Sequence, residues 1–149
     1  MKLVDLLNPE RILLDVVAES CEGMITCLVD ALISQDVLAS ELRDKAISAL
    51  TVREEEVGAG VGCGVAIPHA YLEEIVEPMA IFARSQEGIS FGCLDNAPSK
   101  FVVLLLIPEE KKGQHLLTLS DVGKCFLKAE VRESISAAKN AEEILGFLA

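Results

Sequence analysis

Seven consecutive apolar residues, Phe101 to Ile107, limit the fold of this chain more than any other stretch. Pro108 ends the run, because proline has no N–H with which to continue a hydrogen-bonded ladder. The run is far short of the ~20 apolar residues that a membrane helix needs. It does not alternate with polar residues, so it reads as a central strand covered on both faces. The chain has 149 residues, enough for one domain, and a domain of this size hides roughly 70% of its unfolded surface. Half of it is hydrophobic (51%) but only 4% is aromatic, so the core is aliphatic.

The covering elements are legible on either side of that strand. Leu3 to Leu7 suits a short helical turn closed by Asn8-Pro9, and Arg11 to Val17 is β-branched enough for a strand. Ser20 is placed to cap a helix in which Met24, Ile25, Leu28, Ala31 and Leu32 follow helical spacing. Asp36 is expected to cap a second helix, with Leu38, Leu42, Ala46, Ala49 and Leu50 as its buried stripe, running towards Arg53-Glu54-Glu55-Glu56. Val65 to Ile67 reads as a short buried strand stopped by Pro68, and Tyr71 to Glu74 as a turn or short helix. A strand runs from Pro78 to about Arg84. Gly88 breaks it before a short edge strand, Ile89 to Phe91, and Asp95-Asn96-Ala97-Pro98 is a turn signal. The last third is helical: Gln114 to Leu127, Val131 to Lys139, and a segment opened by Asn140 with Glu143 in a capping-box pattern. Strands interleaved with helices imply one α/β domain, residues 1–149.

Chemistry concentrates between Gly58 and Ala70. Gly58, Gly60, Gly62 and Gly64 alternate with small residues, which opposes a helix and leaves backbone amides able to cradle an anion. His69, one of two histidines, follows at the strand end. A neutral imidazole is a nucleophile, so loop and ring together suggest phosphate carried on histidine, against the plainer reading of a turn with a chance histidine. His115 lies near the start of the helix after the central strand, where free amides favour anions. It either supports His69 across one end of the sheet or is a solvated helix-start residue. Arg53 either forks onto phosphate oxygens or pairs with Glu55 or Glu56. One of the three glutamates is also placed to orient an imidazole tautomer.

The formal net charge of −11 opposes nucleic acid or an anionic membrane as a partner and suits docking on a basic protein, or simply solubility. The N-terminus lacks the features of a signal peptide. Five cysteines (21, 27, 63, 93 and 125) form no CxxC and read as reduced thiols of a cytoplasmic protein. Zinc bound by Cys63, His69 and His115 is the weaker reading, because that spacing matches no standard site, and neither metal nor cofactor is expected. There is no Gly-Lys-Ser/Thr phosphate loop and no GxSxG elbow, so any phosphate must arrive from another molecule.

Arg53-Glu54-Glu55 followed by Gly60-Val61-Gly62-Cys63-Gly64-Val65-Ala66-Ile67-Pro68-His69-Ala70 resembles the signature of the IIA domains of the bacterial phosphoenolpyruvate-dependent phosphotransferase system, in the fructose/mannitol and nitrogen-regulatory class. Arg84-Ser85, Gly88-Ile89-Ser90-Phe91, Asp95-Asn96-Ala97-Pro98, Leu104 to Glu109 and His115-Leu116 follow in that family's order and approximate spacing. The resemblance implies a mixed sheet with helices on both faces. It implies that His69 accepts phosphate from an HPr-type histidine phosphocarrier, with Arg53 and His115 supporting. The phosphate then passes to a IIB cysteine in sugar-route relatives or serves as a regulatory mark in nitrogen-type ones, the latter being the expectation here. Two residues depart from the pattern. Gly58-Ala59 stand where a Ser-Thr pair is usual, and Tyr71 stands where a basic residue often follows Pro-His-Ala, so the site is expected to be weakened, and a non-catalytic binding protein is the third reading.

Overall fold

The computed structural model describes residues 3–56, 58–91 and 98–148, and the side chains of all of these except 114–118. Its strands are β1 (Ile12–Leu13), β2 (Gly60–Gly62), β3 (Val65–Ala66), β4 (His69–Leu72), β5 (Met79–Ile89) and β6 (Ser99–Pro108). Its α-helices are α1 (Cys21–Ser34), α2 (Arg43–Glu56), α3 (Leu116–Leu127), α4 (Ala129–Ala137) and α5 (Ala141–Leu148). The sheet order is β1-β5-β6-β3-β2, with β4 also paired to β6. β5 and β6 are antiparallel, whereas β3 and β4 both run parallel to β6, so the sheet is mixed.

The apolar run Phe101 to Ile107 occupies the middle of this sheet, and its side chains alternate between two cores as strand geometry requires. Val102, Leu104 and Leu106 meet Met24, Ile25, Leu28, Leu32 and Leu50 beneath α1 and α2. Phe101, Val103, Leu105 and Ile107 meet Val122, Phe126, Ile135, Ile144 and Leu148 beneath α3, α4 and α5. Each fully buried Leu or Phe here contributes about 1.5–3 kcal/mol relative to exposure. Helices therefore cover both faces, as expected, and the C-terminal third is helical.

Local chemistry closes the helices. Ser20 Oγ accepts from Gly23 N at 3.0 Å and starts α1. Asn140 Oδ1 accepts from Glu143 N, while the Glu143 carboxylate accepts from Lys139 N, one residue earlier than a strict capping box. C-terminal carbonyls are met by arginines: Arg132 donates to Phe126 O and Leu127 O below α3. The buried Arg84 donates to Ile135 O and Ala138 O at the end of α4 and to Leu14 O after β1.

Four expectations need correction. The strand at Arg11 to Val17 shrinks to Ile12–Leu13, because Pro9 to Arg11 form a 3-10 turn and the chain leaves the sheet at Leu14. Asp36 does not cap a helix: its φ is +58°, and α2 starts at Arg43 after a 3-10 turn at Ser40–Leu42. Residues 71–72 belong to a strand, β4, not a turn. β5 does not stop at Arg84 but shifts register and continues to Ile89, which pairs with Ser99. Gly88 permits this, since a Cβ there would lie 2.7 Å from the Cβ of Pro98. The turn signal at 95–97, and Cys93, lie outside the described residues.

Candidate functional site

The glycine run folds as a hairpin rather than an open loop. β2 and β3 pair antiparallel, Gly62 opposite Val65, around the two-residue turn Cys63-Gly64. Both turn residues have positive φ, +58° and +77°, as a type I′ turn requires. The backbone is largely engaged: Ile67 N donates to Ala59 O, Gly58 N to Glu54 O, and Ala59 N to the Glu54 carboxylate at 2.6 Å. Glu54 thus pins the segment after α2, a role that its place in an acidic helix end did not reveal.

Pro68 ends β3 without ending the path along β6. Its carbonyl accepts from Leu105 N, and β4 begins at once with His69 opposite Leu105. His69 is therefore the first residue of a strand, not the residue beyond one. Ala70 and Leu72 are buried under α2, which leaves His69 and Tyr71, two residues apart, on the other side of the strand and partly exposed. Their rings meet edge to face with centroids 6.2 Å apart.

His69 Nδ1 lies 2.8 Å from Ile67 O. A carbonyl can only accept, so Nδ1 carries the proton and the lone pair of the neutral ring is on Nε2. The backbone, not one of the glutamates, sets the tautomer. Burial lowers the pKa of His69 below its usual 6.5, the bond to Ile67 opposes this, and the charge of Arg53 lowers it further. The ring is consequently neutral at pH 7, and the Nε2 lone pair has the chemistry of a nucleophile or base.

Arg53, in the last turn of α2, lines a small cleft of about 10 Å³, room for about one water, with Leu50, Glu54, Gly58, Ala59 and His69. Its Cζ is 5.9 Å from the Tyr71 ring centroid, and no ion pair joins it to Glu55 or Glu56. His115 closes the 3-10 helix Glu109–His115, which packs on β4 and β6, and α3 starts at the next residue. Its backbone is thus at the helix start, as expected, and its side chain lies outside the described ones. The same 3-10 helix brings Lys112, which the sequence reading missed, to 4.7 Å from the Tyr71 centroid.

The zinc set is not assembled. Val65 faces Phe101 and His69 faces Leu105, about 13 Å apart at 3.3 Å per residue, and Cys63 lies beyond Val65 in the turn. Among the described residues no group of three or more His, Cys, Asp or Glu could hold a metal ion, and no helix is long and apolar enough to cross a membrane. A wider cleft of about 380 Å³ at the other end of β5 is lined by Asp15, Ser85 and Glu87 among others, without an imidazole or a cation.

Comparison with known proteins gives consistent matches over the whole chain. Residues 5–149 match the family model described as phosphoenolpyruvate-dependent sugar phosphotransferase system, EIIA 2. A fructose-specific EIIA component from Haloferax volcanii is 36% identical over 128 residues, 86% of this chain and 82% of that protein. A nitrogen regulatory protein from Bradyrhizobium diazoefficiens is 30% identical over 153 residues, 100% of this chain and 95% of that one. The crystal structure of nitrogen regulatory protein IIA-Ntr from Neisseria meningitidis superposes with a TM-score of 0.90 at 28% identity, covering 99% of each chain. With this family match across the sheet, the helices and the His69 cleft, the chain belongs to the EIIA type 2 family of the phosphoenolpyruvate-dependent sugar phosphotransferase system.

Proposed function

We propose that the chain is a phosphohistidine carrier. The Nε2 lone pair of His69 attacks the phosphorus of a phosphohistidine on an HPr-type carrier. The donor's N–P bond breaks, and its electron pair returns to the donor imidazole. His69 then holds the phosphoryl group on Nε2 as an imidazolium whose Nδ1–H still donates to Ile67 O. Arg53 offsets charge on the phosphoryl oxygens, and His115 supports from the helix start. Such transfers rest on positioning and electrostatics. The observation that carries this reading is the 2.8 Å Nδ1–Ile67 O bond in a ring kept neutral by burial.

The regulatory, nitrogen-type role is favoured by the full-length superposition on IIA-Ntr. The sugar route, with a IIB cysteine as the next acceptor, is favoured by the 36% identity to a fructose-specific component. Either role places the chain in the cytoplasm, where an HPr-type donor works. Incubation with phosphoenolpyruvate, enzyme I and HPr, followed by intact mass, is expected to add one phosphoryl group to the parent and none to His69→Ala. An unmodified parent refutes the carrier reading and leaves a binding protein. Passage of the label to a IIB domain selects the sugar route.

A further inference from the structure

Tyr71 stands where the family resemblance implies a basic residue, and the structure surrounds it with two cations from different elements. Arg53 comes from α2, with Cζ 5.9 Å from the ring centroid, and Lys112 from the 3-10 helix after β6, with Nζ 4.7 Å away. The chain has 13 basic residues against 24 acidic ones, so two cations on one ring beside the only histidine of β4 is a local reversal of the overall charge. A cation over an aromatic face is held by the ring quadrupole, yet the ammonium of Lys112 keeps its hydrogen-bond donors free, because a π face takes up none of them stoichiometrically. The exposed stem of Lys112 leaves that head able to swing from the ring to an anion arriving at His69.

Resting on the carrier reading above, we propose that Lys112 supplies the cation missing at position 71. Tyr71 is its positioning residue: it parks the ammonium over its own ring, 4.7 Å from the centroid, and that ring meets His69 edge to face, so Lys112 is placed to bind oxygens of the phosphoryl group during transfer. The two cations divide the work. The charge of Arg53 is felt by the free imidazole, whereas that of Lys112 is not among the influences on it. Because its ammonium rests on the Tyr71 ring, 4.7 Å from the centroid, Lys112 is assigned to the phosphoryl group and not to the basicity of the nucleophile.

The test uses single-turnover uptake from phosphorylated HPr, the lifetime of the phospho-protein, and NMR titration of free His69. Lys112→Gln, which keeps the stem, is expected to slow uptake about tenfold, less than the ~10²–10³ of a buried oxyanion donor because this cation is solvated. Lys112→Arg is expected to restore the rate to within about threefold. Tyr71→Leu is expected to slow uptake similarly and Tyr71→Phe to recover most of the loss. The double variant Tyr71→Leu/Lys112→Gln is expected to be no slower than the slower single one, as for residues that act through each other. The His69 midpoint is expected to stay put in Lys112→Gln. Unchanged uptake and lifetime in Lys112→Gln overturn the proposal and make Lys112 an ordinary surface lysine. A shifted His69 midpoint or independent losses in the double variant overturn the division of roles. A parent that takes up no phosphate removes the carrier reading and this proposal together, so the parent arm separates the two failures.

Discussion

Replacing Arg84 by Met isolates one contribution to the fold and leaves the His69 cleft alone. Met keeps most of the buried stem and removes the guanidinium. Four carbonyls lose a bond from it: Leu14 O at 2.9 Å, Ile135 O at 2.9 Å, Ala138 O at 2.7 Å and, more weakly, Ser136 O at 3.5 Å, although Ile135 O still accepts from Ala138 N. The contact with Asp15, 3.7 Å from Nη2, adds little, because the Asp15 side chain is 70% exposed. Hydrogen bonds to a charged group contribute about 1.5–3 kcal/mol each, and a buried polar group left unpaired costs about 1–3 kcal/mol. These terms do not add, and the guanidinium no longer has to be desolvated. A net loss of about 2–4 kcal/mol is expected, or a melting temperature lower by roughly 5–15 °C. Urea denaturation at unchanged m-value measures it. Arg84 pairs with Phe101 and His69 with Leu105, about 13 Å along β6, so phosphate uptake by folded variant is expected within about twofold of the parent. A loss below about 1 kcal/mol would refute the reasoning, since the arginine's bonds would then only balance its desolvation.

Other outcomes concern the site itself. Because burial and Arg53 hold the His69 pKa below 6.5, the ring is expected to stay neutral and reactive as pH falls through 6.5, with uptake lost only below its own midpoint. A depressed histidine also loses native stability from 6.5 downward, as the unfolded chain binds the proton first. Arg53→Gln is expected to raise the NMR midpoint, and a midpoint that falls or stays contradicts this. Ala59→Thr puts a hydroxyl in the cleft and is expected to lengthen the phospho-form's lifetime, measured by label decay. Gly58→Ser is expected to cost about 1–2 kcal/mol because φ at 58 is +79°, so equal stability of the two variants would contradict the loop geometry. Cys63→Asn, better suited to φ +58° at the first place of the turn, is expected to raise stability by about 0.5–1 kcal/mol with uptake retained, and loss of uptake would show that the thiol matters.

What the sequence revealed is what local chemistry decides. The unbroken apolar run at 101–107 marks a doubly covered strand wherever it occurs, and Ser20 and Asn140 cap helices through bonds three residues away. Arg53 and His69, 16 positions apart, belong to one motif and line one cleft. Long-range pairing hid the rest. Pro68 looks like a terminator from its missing N–H, but its carbonyl still serves Leu105. Gly88 looks like a break until Pro98 packs against it. Nothing local marks Lys112 among the charges at 109–112 as the one that reaches Tyr71.

Phosphate transfer turns on one atom, Nε2 of His69. Phosphorus–nitrogen coupling in the NMR spectrum of the isotope-labelled phospho-protein reads it directly. Coupling to Nε2 is expected, with the Nδ1 proton still present and hydrogen-bonded to Ile67 O. Coupling to Nδ1, coupling to a ring nitrogen of His115, or a phospho-species that survives in His69→Ala would contradict it.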